Sequence, residues 1–116
     1  MSSPIEWNVI VFDKPNTDRT SVRKSHLEKI PGDVNSGVVT SVGAIYQDAE
    51  KTKFAGSCLN MFAKSREDIL EFLKGDPYYK AGIWDLDSVI ANPCGIAVRL
   101  PKIVPGVSVN DDLFKL

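Results

Sequence analysis

Proton transfer near neutral pH calls for a side chain that titrates there, and the chain contains one histidine, His26. It is the first acid-base candidate. An equally ordinary reading makes it a helix-edge histidine satisfied by a neighbour. Asp76 stands directly before Pro77, where a carboxylate is well explained as the N-cap of a short helix. The two cysteines, Cys58 and Cys94, lack the CxxC spacing of a zinc or redox site and are expected to be buried, reduced thiols. One histidine and two scattered cysteines supply no metal-ligand cluster, and no glycine-rich phosphate loop precedes a helix. Neither a metal nor another cofactor is expected.

Elements must place these residues. Residues 7–12 (Trp-Asn-Val-Ile-Val-Phe) read as a strand, because β-branched and aromatic side chains suit a pleated, half-buried surface. Asp18 or Thr17 can cap a helix on which Val22, His26, Leu27 and Ile30 form one stripe, with His26 on its inward or edge side. Pro31-Gly32 should end or kink that helix, since proline lacks an amide hydrogen and clashes with the preceding turn. Residues 38–46 and 56–63 read as a hairpin around a charged connection. Ser65-Arg66-Glu67-Asp68 resembles a capping box ahead of Ile69, Phe72 and Leu73, with Gly75 as a stop. Asp76-Pro77-Tyr78-Tyr79-Lys80-Ala81-Gly82 predicts a one-to-two-turn helix. Residues 83–90 form the last clear strand, with Trp84, Leu86 and Ile90 on one face and Asp85 and Asp87 on the other. Pro101 and Pro105 suit residues 95–116 to an edge strand or an arm, and the apolar residues there predict an extension packed on the body or on a partner.

The order strand, helix, strand, strand, helix, strand predicts an α+β domain over residues 1–94. Its architecture is a ferredoxin-like βαββαβ antiparallel sheet with both helices on one face. Its strands carry apolar residues on both faces, so the open face needs a cover. The simplest cover is the same sheet of a second subunit, in an isologous homodimer.

Several short pieces, in order, make the chain similar to the YCII-like family. They are Arg23 with His26-Leu27, Gly43 at a strand end, Ala55-Gly56-Ser57, and Asp76-Pro77-Tyr78 followed by Ala81-Gly82. Ala44 follows Gly43, whereas the family pattern usually has proline there. The resemblance implies a dimeric α/β barrel with a pocket between helices and sheet, where His26 and Asp76 form a catalytic pair. A carboxylate accepting a hydrogen bond from one imidazole nitrogen fixes the tautomer and leaves the other nitrogen as a directed base. Ser57, Gly43 and Tyr78 are expected around the same pocket, Ser57 as a hydroxyl donor and Gly43 leaving room for a ligand. Arg23, one helical turn before His26, can hold an anionic substrate group or be a solvated surface arginine.

Composition narrows the partners. With 116 residues the chain can bury one core, and 14 basic against 15 acidic residues leave a formal charge of -1. No global field draws it to nucleic acid or anionic lipid. The start, Met1-Ser2-Ser3-Pro4-Ile5-Glu6, lacks the pattern of a signal peptide, and no later stretch approaches a membrane span. A cytoplasmic protein is expected. Two functions fit: a cofactor-free lyase or isomerase acting on a small metabolite, or a non-catalytic small-molecule-binding or structural dimer.

Overall fold

The computed structural model describes residues 3–108. Four strands form one antiparallel sheet: β1 (Ile5–Asp13), β2 (Val39–Tyr46), β3 (Phe54–Ala63) and β4 (Trp84–Pro93), in the order β2-β3-β1-β4. Between β1 and β2 lie a 3-10 turn (Arg19–Ser21) and α1 (Arg23–Asn35), and between β3 and β4 lie α2 (Arg66–Lys74) and α3 (Pro77–Lys80). This α+β arrangement is compatible with a ferredoxin-like fold.

Alternation along the strands separates the two faces. Val9 and Val11 of β1 stand beside Leu59 and Ser57 of β3 by register, and Met61 and Ala63 continue the same row. Ile69 and Leu73 of α2, Tyr78 of α3 and Trp84 join that side to form the core. On the other face are Ile10, Phe12, Cys58, Phe62 and Ile90, of which Phe12, Phe62 and Ile90 are exposed. Gly56 sits where β3 passes closest to β1. A Cβ there would stand 2.3 Å from the Val11 carbonyl oxygen, so no other residue fits without moving the strand.

Caps set the helices much as the residues suggest. Ser65 accepts a hydrogen bond from the Asp68 amide at 3.2 Å and Asp76 from the Tyr78 amide at 2.8 Å. Gly82, at φ 76°, closes α3 in the left-handed region.

Four expectations are corrected. Asp18 caps the 3-10 turn, accepting from the Thr20 amide at 2.9 Å, and α1 begins at Arg23 without a side-chain cap. Of the end or kink expected at Pro31-Gly32, the end is overturned, since α1 runs on to Asn35. A proline inside a helix costs about 3 kcal/mol. Val34 packing on the core and Asn35 bonding to Gly106 and Ser108 favour the extra turn. β4 does not keep one alternation. Two steps along β1, from Phe12 to Ile10, face five along β4, from Asp85 to Ile90, so a bulge intervenes. Ser88 Oγ stabilises it, accepting from the Phe12 amide at 2.9 Å and donating to the Asp85 carbonyl at 2.5 Å. Trp84 and Val89 are consequently buried on one side, while Ile90 is 50% exposed on the other. The cysteines, finally, are free but only half-buried.

After β4 the chain has no regular secondary structure through residue 108, and residues 109–116 of the expected extension lie outside the described part. This arm is tied by Arg99, which pairs with Glu6 and bonds Thr40 Oγ1, and by Asn35, which donates to the Gly106 carbonyl.

Candidate active site

His26 lies at the fourth position of α1, one turn in, where the helix turns that residue toward the sheet. Asp76 is the cap of α3. Folding brings these positions, fifty residues apart, into contact: Nδ1 of His26 is 2.9 Å from both carboxylate oxygens of Asp76. An ionised carboxylate only accepts, so Nδ1 carries the hydrogen and donates it. In the neutral ring Nε2 then holds the lone pair, and it has no hydrogen-bond partner among the described residues. The residue is 7% exposed and lines the wall of a cavity.

Three further side chains hold the imidazole. Tyr78 stacks on it with centroids 4.0 Å apart, and Trp84 meets it edge-on at 5.9 Å. Arg19 places its guanidinium 4.3 Å from the Tyr78 ring centroid and 5.0 Å from that of Phe54. A bidentate contact to Asp13, at 2.6 and 3.0 Å, neutralises this arginine, which is only 2% exposed. Burial pushes the Tyr78 phenol above its ordinary value, while the guanidinium groups of Arg19 and Arg23 pull it back.

Ser57 shares a small void with His26 and Asp76. Its hydroxyl faces a small void of about 20 Å³, lined also by His26, Asp76 and Trp84, rather than the wide cavity. Ser57 Oγ and Trp84 Nε1 are both buried without a protein partner, and a void of this volume suits one water molecule.

The wide cavity, about 580 Å³, lies between α1, β2 and the C-terminal arm. Arg23, His26 and Tyr78 line it, and Gly43 contributes backbone. A Cβ at Gly43 would meet nothing within 4 Å, so the space there does not depend on glycine. Among the described residues no three His, Cys, Asp or Glu side chains converge as metal ligands. No helix described is long and apolar enough to cross a membrane. Sequence reasoning missed Arg19, Phe54 and the packing role of Trp84. The one available signal for Arg19 was its position six residues after Asp13, opposite in charge, beyond a turn.

No protein-family model matches the chain. It is similar to aspercryptin biosynthesis cluster protein B of Emericella nidulans, 32% identical over 99 residues. That stretch covers 79% of this chain and 64% of the relative, so the chain spans under two thirds of that protein's length. Among solved structures it resembles 5-chloro-2-hydroxyhydroquinone dehydrochlorinase of Burkholderia phenoliruptrix, in complex with 2,5-dihydroxybenzoquinone. The TM-score is 0.62 at 20% identity, over 78% of this chain and 94% of that one. The two share a fold.

Proposed function

We propose that the protein is a YCII-like member of the dimeric α/β-barrel enzymes, a cofactor-free lyase or isomerase that works on a small metabolite. The observation that carries this reading is the buried contact between His26 Nδ1 and both oxygens of Asp76, with Nε2 unpaired among the described residues and His26 lining the cavity. In the proposed reaction Nε2 takes a proton from an O–H or C–H group of the substrate. The electron pair left behind forms a new double bond. A leaving group such as chloride departs in a lyase reaction, or the imidazolium returns the proton to another atom in an isomerisation. Asp76 stabilises the imidazolium formed on the way. A neighbour of the same fold, named as a dehydrochlorinase and holding a dihydroxyquinone, supports a hydroxylated cyclic substrate.

The working unit in this proposal is a homodimer, with the exposed Phe12, Phe62 and Ile90 covered by the same face of a second copy. Sedimentation should give twice the 12.8 kDa chain mass, and a monomer at micromolar concentration would contradict it.

A non-catalytic binding module is the second reading, favoured by the double duty of Asp76, which also caps α3. Incubation with chlorinated and hydroxylated hydroquinones, following chloride release and ring absorbance, separates the two. Turnover should fall by roughly 10²–10⁴-fold in His26→Ala and Asp76→Asn, the usual worth of a general base. Variants that keep wild-type turnover would leave the binding module standing.

A further inference from the structure

We infer that the wide cavity selects a planar anion, a ring bearing a carboxylate or ionised hydroxyl, and that Arg23 is the residue that receives its charge. This rests on the proposed use of His26 at the same cavity and adds the class of ligand.

The cavity's charge pattern differs from that of the chain. Overall, acidic residues slightly outnumber basic ones, 15 to 14. Around the cavity stand Arg19, Arg23, Lys51, Arg99 and Lys102, with no aspartate or glutamate among its described lining residues. Asp13 already neutralises Arg19, and Glu6 neutralises Arg99. Arg23, Lys51 and Lys102 have no carboxylate partner among the described residues. The contrast is sharpest along α1 itself. Lys24 pairs with Glu28 at 4.0 Å and Lys29 with Asp33 at 2.5 Å, whereas four residues after Arg23 comes Leu27, which offers no charge. A cation left without a partner at the wall of a cavity attracts an anion there, and low-dielectric walls strengthen the attraction.

Of the three unpaired cations, Arg23 lies nearest the chemistry, one helical turn before His26 and close enough to Tyr78 to act on its phenol. Its planar fork matches two oxygens of a carboxylate or a pair of vicinal ring oxygens, which an ammonium cannot do. Planarity of the ligand follows from the rest of the lining. Tyr46 stacks on Phe54 at 5.0 Å, and both border the cavity together with Tyr78, Leu27, Ile30 and Val42. Aromatic and branched walls around one charged group favour a flat, mostly apolar body.

The test uses the full chain and three probes of nearly one shape: 4-hydroxybenzoate (anion), 4-hydroxybenzamide (neutral) and 4-hydroxybenzamidine (cation). Calorimetric titration should rank the anion about tenfold or more above the amide, the worth of one charge-assisted hydrogen bond, and the amidine last. Arg23→Gln, an exposed change that leaves the core untouched, should bring the anion to the affinity of the amide. Lys74→Gln on α2 removes the same charge away from the cavity and should not. Equal binding of the three probes, no saturable binding of the anion at millimolar concentration, or a preference that survives Arg23→Gln would each overturn the inference. Because His26 is the chain's one histidine, its ring signals in the same titration report separately on the proposed base. Anion binding with His26 unmoved would refute proton transfer at this site and keep the charge preference. Movement of His26 by all three probes equally would do the reverse.

Discussion

The two walls of the cavity are built differently. The wall carrying His26 is interlocked: Asp76 holds the imidazole and caps α3, Tyr78 stacks on the ring, and Arg19 bridges Tyr78, Phe54 and Asp13. Each side chain there has two or more partners, and most are buried. The wall formed by the C-terminal arm hangs on a few polar contacts, from Arg99 to Glu6 and Thr40 and between Asn35 and Gly106 or Ser108. Of its described apolar residues, Val98 and Leu100 contribute little, being 78% and 84% exposed. Precise placement is invested where a proton would move. The other wall can shift at small cost, which suits a boundary that admits a ligand.

Breaking the interlocked wall should have the largest effect. Arg19→Met leaves the Asp13 carboxylate nearly buried and unpaired, and removal of one partner of such a pair costs about 3–5 kcal/mol. Urea unfolding should show a loss of that size. A loss below about 1 kcal/mol would place Arg19 with ordinary surface arginines and erase the contrast between the walls. Ending the chain at Pro93 should cost less, about 1–2 kcal/mol, because it removes one ion pair and, among residues 94–108, side chains that are mostly in water. A larger loss, or aggregation on truncation, would mean that the arm supports the fold as strongly as the helices do.

The smallest effect concerns Tyr78 and alkaline pH. Burial raises its phenol above the ordinary value of 10.0, so between that value and the folded-state value the folded chain binds more protons than the unfolded one. Stability from this group is therefore complete below about pH 10 and declines as pH rises through the folded value. Melting temperatures of wild type and Tyr78→Phe should run parallel below pH 10 and converge above it. Parallel curves throughout would mean that the phenol is as free to ionise when folded as when unfolded.

Local signals were legible wherever a residue acts on its own neighbours. Ser65 and Asp76 cap helices because their oxygens reach amides two or three residues ahead, a geometry settled by spacing alone. The helix stripe turned His26 inward for the same reason. Of the two outcomes the sequence offered at Pro31, an end or a kink, the end is overturned, and Val34 and Asn35 beyond it make contacts with other segments that no local pattern shows. The β4 bulge was invisible because Ser88 earns its place through the amide of Phe12, seventy-six residues away.

By itself the sequence determined the kinds of element, their order, and the residues with chemistry to offer, since caps, periodicity and titrating groups are properties of short segments. Tertiary structure decided who meets whom. It set the 2.9 Å contact of His26 with Asp76, placed Ser57 at the small void, neutralised Arg19 and left Arg23 without a carboxylate partner among the described residues. Such outcomes depend on sheet register and on which distant charge arrives within a few ångströms. No local pattern encodes that distance, because the balance of burial, pairing and chain entropy is struck over the whole fold.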